Sequence, residues 1–303
     1  DPRELSFDYL TTQNAPGAYD GEIRDLGGRI FPLNRSKNPI LITAQIRRIV
    51  AQHGPYDVIH RHLSYYSGIV LRAAHAAGVP IRLSHSHTDQ STANQNAPIQ
   101  RRIYIAASRA LLRRHGTAHL AASPEAAASL HGPNWARLSS VFVSECGVDF
   151  SELPDAAEIR SMFGIPPGAL VVGTVGRLVP SKNHAFLLEA FSQLSTTKLP
   201  PPYLVIVGDG PLRNDLQLLS RDLGIADRVK LIGARQDVRK LLLGLFDVFA
   251  FPSKFEGLGL AAIEAQATGL PCAISSSVPS SAIIVPENVS YLLSGLDGRF
   301  CDC

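Results

Sequence analysis

Residues 170–194 read LVVGTVGRLVPSKNHAFLLEAFSQL. An almost unbroken apolar run (170–178) gives way to a short loop, then to a stretch with apolar residues three and four apart (184–194). The first pattern marks a strand buried on both faces, the second a helix lying over it. The exchange repeats down the chain. Strand YLVIVGDG (203–210) leads to helix PLRNDLQLLSRDLG (211–224), with Pro211 at its first position. Strand RVKLIG (228–233) leads to helix DVRKLLLGL (237–245), and strand DVFAFPS (247–253) to helix LGLAAIEAQATG (258–269), with strand PCAISS (271–276) closing the series. Such alternation builds a parallel α/β sheet covered by helices on both sides.

The first half carries the same rhythm. LSFDYL (5–10) and RIFPL (29–33) read as strands around a helix, GEIRDLG (21–27), that ends at Gly27-Gly28. A helix over 40–54 follows. YDVIHRH (56–62), SGIVLRAAHAAG (67–78) and IRLSHSH (81–87) form a strand–helix–strand unit. A long helix over 99–116 and strands AHLAAS (118–123) and SVFVSECGV (140–148) complete the set. The stretch 149–168 carries three prolines and breaks the rhythm. A domain boundary is expected there, giving domains 1–152 and 153–303, both doubly wound.

Composition narrows the function classes. Of 303 residues, 45% are hydrophobic and 18% charged, which suits a folded chain. A net charge of +3 is too mild to demand nucleic acid, though it suits anionic substrates or a membrane surface. No apolar run nears the roughly 18 residues that span a bilayer, and no secretory signal opens the chain. The four cysteines, Cys146, Cys272, Cys301 and Cys303, read as reduced thiols of a cytoplasmic protein. Cys301 and Cys303 alone make a poor zinc site.

Ligands of open parallel sheets bind at the carboxyl ends of strands, and three loops there stand out. The loop GTVGRLVPSKN (173–183) brings Arg177 and Lys182 to the start of a helix. Two cations and a helix N-terminus suit a polyanion, most simply a diphosphate; the alternative is a solvated turn with incidental charges. In PSKFEGLGLAAIEAQATGLP (252–271), Glu256 precedes a glycine-rich helix entry whose amides, over Gly257, Leu258, Gly259 and Leu260, favour negative charge. A carboxylate beside bound phosphate is best employed on neutral hydroxyls of a sugar, with Glu264 two turns on. Helix capping by Glu256 and simple exposure of Glu264 are the alternatives. VGDGPLRNDL (207–216) lacks a third glycine, because Arg213 stands in its place, so it reads first as a structural turn.

These loops, G-R-L-x(3)-K-N at 176–183, V-G-D-G-P-L at 207–212 and E-G-L-G-L-A-x(2)-E-A at 256–265, resemble glycosyltransferase family 4, most of all bacterial members that build capsular or exopolysaccharide. The likeness covers nearly all of 56–280. It implies a GT-B-like α/β fold, two Rossmann-like domains facing a cleft, and retaining transfer of a sugar from a nucleotide-sugar, with UDP the expected nucleotide. The acceptor would be a saccharide or lipid-linked saccharide in polysaccharide biosynthesis. Arg177 and Lys182 would hold the donor diphosphate, Glu256 the sugar hydroxyls, the 257–260 amides sugar and phosphate, and Glu264 the ribose. The base would lie near Ile232 to Arg235. His87, in SHSHT (84–88), matches the family's histidine near the reacting centre, and His60 and His62 could line the same region. Ser64 to Gly68 begin the next helix.

No Asp-x-Asp pair ends a strand, so two cations are expected to replace a divalent metal, with no cofactor. Arg102, Arg109 and Arg113 share one face of the 99–116 helix, with Ile103, Tyr104, Ala107 and Leu111 opposite. In this family such a face meets anionic lipid or a lipid-diphosphate acceptor; a solvated basic face is the plainer alternative. By the family's pattern, the chain is expected to lack an opening strand with its glycine-rich loop and a closing helix, and so to be a fragment with weak turnover. Two other readings stay open: an inert nucleotide-sugar-binding module, and a nucleotide-sugar epimerase.

Overall fold

The computed structural model describes residues 5–12, 15–17, 19–33, 38–148, 159–194 and 200–292. The chain divides into two compact units. One comprises Asp1–Ser86, Ala93–Leu120 and Leu130–Phe142; the other comprises His87–Thr92, Ala121–Ser129 and Val143–Cys303. The expected break at 152/153 falls outside the described residues.

In chain order the first half runs β1 (Tyr9–Thr11), α1 (Asp20–Asp25), β2 (Ile30–Pro32), α2 (Pro39–His53), β3 (Val58–Arg61), α3 (Ser67–Ala76), β4 (Ile81–Ser86), α4 (Ser91–Gln95), α5 (Ile99–His115), β5 (Ala118–Ala121), α6 (Pro124–His131) and β6 (Val141–Val143). β1 and β2 pair in parallel as a two-stranded sheet, and β3-β4-β5-β6 form a second sheet. Ile42, Ile46, Val70 and Ala73 from α2 and α3 pack with Leu10 and Ile59 from the strands. The expected strand over 5–10 is shorter, since only its end pairs and Leu5 and Phe7 stay exposed. The strand expected over 140–148 stops at Val143.

The face of α5 also differs from expectation. Ile105, Ser108 and Leu112 are its buried residues, while Ile103 and Tyr104 are exposed. Arg109 is drawn down, its Nε donating to the Leu130 carbonyl at 2.9 Å. Three- and four-residue spacing permits several faces, and packing chose the one through 105, 108 and 112.

The second half runs α7 (Ile159–Met162), β7 (Val171–Val175), α8 (His184–Ser192), β8 (Tyr203–Val207), α9 (Arg213–Asp222), β9 (Val229–Gly233), α10 (Val238–Gly244), β10 (Val248–Phe251), α11 (Leu260–Ala267), β11 (Cys272–Ser275) and β12 (Val289–Leu292). The strands form one parallel sheet in the order β12-β11-β10-β7-β8-β9. Counted from β7, this is the 3-2-1-4-5-6 order of a doubly wound dinucleotide fold. Alternation along each strand feeds two cores. Val205, Val207, Phe249 and Phe251 meet Leu241, Leu242, Ala262 and Ala265 from α10 and α11. Leu204, Ile206 and Ala250 meet Leu187, Leu188, Phe191 and Leu216 from α8 and α9.

Pro211 precedes α9 by two residues instead of opening it. Cys272 is buried, and burial pushes its thiol up to about 12, so it stays a thiol. Among the described residues no helix is long and apolar enough to cross a membrane.

Candidate functional site

In the 3-2-1-4-5-6 order the connections reverse direction between β7 and β10, and the loops leaving them flank a natural crevice. β7 pairs with β8 through Val175↔Val207, but with β10 only through Val248↔Val172 and Phe249↔Gly173. The two strands have therefore parted at their carboxyl ends, where both loops begin.

The β7 loop makes a turn of 3-10 helix over Pro180–Lys182, with the Lys182 amide donating to the Val179 carbonyl at 3.0 Å. Asn183 follows at φ 56°, ψ 36°, where a short polar side chain is tolerated, and α8 starts at once. That sharp entry fixes Lys182 at the helix mouth. The β10 loop is tied to it by the Lys254 amide, which donates to the Ser181 carbonyl at 2.8 Å. Lys182 Nζ then donates to Glu256 Oε1 at 2.6 Å, with side-chain exposures of 21% and 12%. The same ammonium lies 5.2 Å from the centre of the Phe251 ring, so an aromatic face and a carboxylate share one cation.

Past Glu256, Gly257, Leu258 and Gly259 are buried and Leu260 is exposed. Gly259 adopts φ 88°, a left-handed cap that a side chain would strain, and offers no side-chain acceptor to the helix. The Ala262 and Ile263 amides return to the Gly259 carbonyl. The Leu260 and Ala261 amides have no intrahelical acceptor, as at any helix start. Glu264, one turn further, is half-buried; burial pushes its carboxyl above the usual range, and Arg239 partly offsets this.

Arg177 is exposed just beyond β7, and among the described residues no ion pair holds it. Its neighbours are pinned. Gly176 N donates to Val207 O at 2.9 Å, Leu178 N to Asp209 O at 3.0 Å and Leu212 N to Leu178 O at 3.1 Å. Gly208, at φ 140°, permits this stitching, since a Cβ there would collide with the Gly176 carbonyl. The V-G-D-G-P-L turn is thus the bracket of the Arg177 loop. Arg213, standing where a dinucleotide fingerprint needs glycine, reaches across to the Leu231 carbonyl at 3.0 Å.

Arg235 lies beyond β9, and Asp237 grips it in a two-pronged pair at 2.8 and 2.7 Å. His87 follows β4, is exposed, and groups with the second unit, in which the Asp89 amide donates to the Glu256 carbonyl at 3.3 Å. His184, the first residue of α8, is buried; burial and the nearby Lys182 charge lower it to about 4. Sequence reasoning missed Phe251 beneath Lys182, the Ser181–Lys254 link and the captive state of Arg235. The Phe251 contact left one trace, an aromatic residue closing an apolar strand. The capture of Arg235 left another, an acidic residue two positions on, and the Ser181–Lys254 link left none.

Two parallel α/β units, the second of dinucleotide order with cations and a carboxylate where its connections reverse, define a GT-B glycosyltransferase architecture. A family model described as "Glycosyl transferases group 1" matches residues 155–296, and one described as "Glycosyl transferase 4-like domain" matches residues 3–137. The putative glycosyltransferase EpsF of Bacillus subtilis (strain 168) is 34% identical over 284 residues, covering 92% of this chain and 73% of that protein. The chain belongs to this glycosyltransferase family, as the motifs at 176–183, 207–212 and 256–265 imply. The UDP-Gal:alpha-D-GlcNAc-diphosphoundecaprenol alpha-1,3-galactosyltransferase of Escherichia coli is 31% identical, covering 78% of this chain; the chain spans 62% of that relative. The crystal structure of Anabaena Alr3699/HepE in complex with UDP-glucose shares the fold, with a TM-score of 0.71, 19% identity and coverage of 89% of this chain and 80% of that one.

Proposed function

We propose that this chain carries the donor site of a retaining glycosyltransferase that moves a sugar from a UDP-sugar to a saccharide or lipid-linked acceptor in polysaccharide biosynthesis. The reading rests on one observation: Lys182 and Glu256, from the loops after β7 and β10, meet at 2.6 Å where the connections reverse. UDP is supported by the UDP-glucose bound in the Anabaena structure, and the lipid-linked acceptor by the name of the Escherichia coli relative.

Arg177 and Lys182 take the diphosphate, together with the Leu260 and Ala261 amides at the start of α11. Glu256 accepts hydrogen bonds from donor-sugar hydroxyls while remaining oriented by Lys182. Glu264 takes the ribose, the Gly257–Gly259 backbone lies against the sugar, Arg235 borders the base, and His87 lies near the reacting centre. In transfer the bond from the anomeric carbon to the β-phosphate oxygen breaks and its electron pair stays on phosphate. The acceptor oxygen bonds to the same face of the sugar, and its proton passes to the departing phosphate. Charge gathers on phosphate oxygens, where fixed cations and amides stabilise it; one such donor is worth about 3 kcal/mol. Two side-chain cations at the diphosphate make a divalent metal unnecessary there.

A cytoplasmic enzyme touching an anionic membrane also fits α5, whose Ile99, Ile103 and Tyr104 are exposed beside Arg101 and Arg102. The test is a thermal-shift panel of nucleoside diphosphates and nucleotide-sugars with and without chelator, followed by product analysis with labelled UDP-sugars. A midpoint rise with UDP that ignores chelator, and transfer with the anomeric configuration kept, is the expected result. No shift with any nucleotide overturns the donor site, and binding without transfer leaves an inert module.

A further inference from the structure

We infer that His60, His62 and His85 form a binding site for a divalent cation of the zinc class. The pleat supplies the first part of the geometry. β3 ends at Arg61, and residues two apart share a face, so His60 and His62 project together while Arg61 takes the other side. Register supplies the second. β3 and β4 pair in parallel with His60 opposite Leu83 and Arg61 opposite Ser84, and one further step brings His85 beside His62. Ring centres lie 4.1 Å apart for His60 and His62, and 5.4 Å for each of these with His85. One ring nitrogen of each histidine lies within 4.8 Å of the other two.

A tetrahedral zinc ion holds imidazole nitrogens at about 2.0–2.1 Å, which sets them roughly 3.4 Å from one another. Modest side-chain rotation therefore closes the three onto one ion. Three imidazoles with no carboxylate select zinc, copper, nickel or cobalt over magnesium and calcium. Three protein ligands leave a fourth position for water or an exchangeable oxygen ligand. Buried His85 anchors the set, and exposed His60 and His62 leave a route for entry. The site belongs to the first unit and to none of the diphosphate-binding residues, so its test reads metal binding directly and stands apart from the donor reading.

The experiment uses the full chain bearing Cys301→Ser and Cys303→Ser, which removes the tail thiols as competing ligands. Chelator-stripped protein at neutral pH is titrated with zinc against a chromophoric indicator, then with cobalt by visible absorption. The expected result is one tight equivalent of zinc, four-coordinate cobalt bands without thiolate charge transfer, and no response to magnesium. His60→Ala and His62→Ala, both at exposed positions, should each weaken zinc by roughly a hundredfold or more while thermal unfolding without metal stays cooperative. Failure to bind a stoichiometric ion overturns the inference, and so does zinc affinity that neither variant changes.

Discussion

Glu256 Oε1 accepts a hydrogen bond from Lys182 Nζ at 2.6 Å although 74 residues separate the two. Neither group reaches bulk water freely, so each is the other's main compensation. The pair therefore joins a structural task, locking two loops together, to a chemical one, holding a cation and a carboxylate side by side.

A double-mutant cycle measures that coupling. Lys182→Met and Glu256→Gln should each destabilise the fold by about 1–3 kcal/mol in urea unfolding, and the double variant by less than their sum, with a coupling of about 1 kcal/mol or more. In ligand titration Lys182→Met should weaken UDP, whereas Glu256→Gln should largely keep UDP and lose turnover. Strict additivity in stability would remove the structural half of the argument.

Arg177 gives the opposite pattern. With an exposed side chain and, among the described residues, no ion pair to lose, Arg177→Ala should leave unfolding within about 0.5 kcal/mol of the parent. UDP affinity should fall roughly ten- to a hundredfold, the worth of a hydrogen bond to a charged group. Calorimetric titration that returns an unchanged dissociation constant would exclude Arg177 from the diphosphate site.

Gly208→Ala tests the bracket. A side chain at φ 140° is strained, and its Cβ would drive the Gly176 carbonyl away. The expected cost is about 2–4 kcal/mol, together with weaker UDP binding as the Arg177 loop shifts. Parent-like unfolding and binding would show that this loop does not depend on the turn.

Glu264 sets stability against binding. Burial raises its carboxyl, which means that the charged form is disfavoured in the folded protein. Glu264→Gln should raise the thermal midpoint while weakening UDP roughly tenfold through loss of a ribose hydroxyl acceptor. If the midpoint rises and UDP binding is untouched, the ribose contact lies elsewhere.

Acid should unfold the protein through its buried histidines. Burial depresses His119 to about 4, His131 to about 3 and His184 to about 4, against an ordinary value of 6.5. Between those values the unfolded chain binds more protons than the folded one. Stability is thus complete above about pH 7 and falls as pH drops through 6.5 towards 4, by up to about 1.4 kcal/mol per pH unit for each histidine. Urea midpoints at pH 7.5 and 5.0 check this, and equal midpoints would argue against neutral buried imidazoles.

The strands and helices of the second half were legible because their patterns are local. A run such as LVVGTV can be satisfied only by burial on both faces, and HAFLLEAF only by a helix with one side covered. Boundaries were less legible. Pro211 suits a helix start, yet it falls in the turn that brackets the Arg177 loop, and Leu5 and Phe7 suit a strand but have no strand partner among the described residues. Within the site, residue types at strand ends identified Arg177, Lys182, Glu256 and Glu264 as candidates. Asp237 stands two residues from Arg235, so that pair lay within local reach, whereas nothing local announced that Phe251 lies under Lys182.

Alternating hydrophobicity, glycine placement and the order of three loops were sufficient by themselves to set the α/β class and the family, since each acts within a few residues. The partnerships came only with tertiary structure: β10 lying beside β7, Lys182 meeting Glu256, and three histidines sharing one face of β3 and β4. Strand order and register follow from which distant surfaces bury together, and no window of sequence contains both members of such a pair.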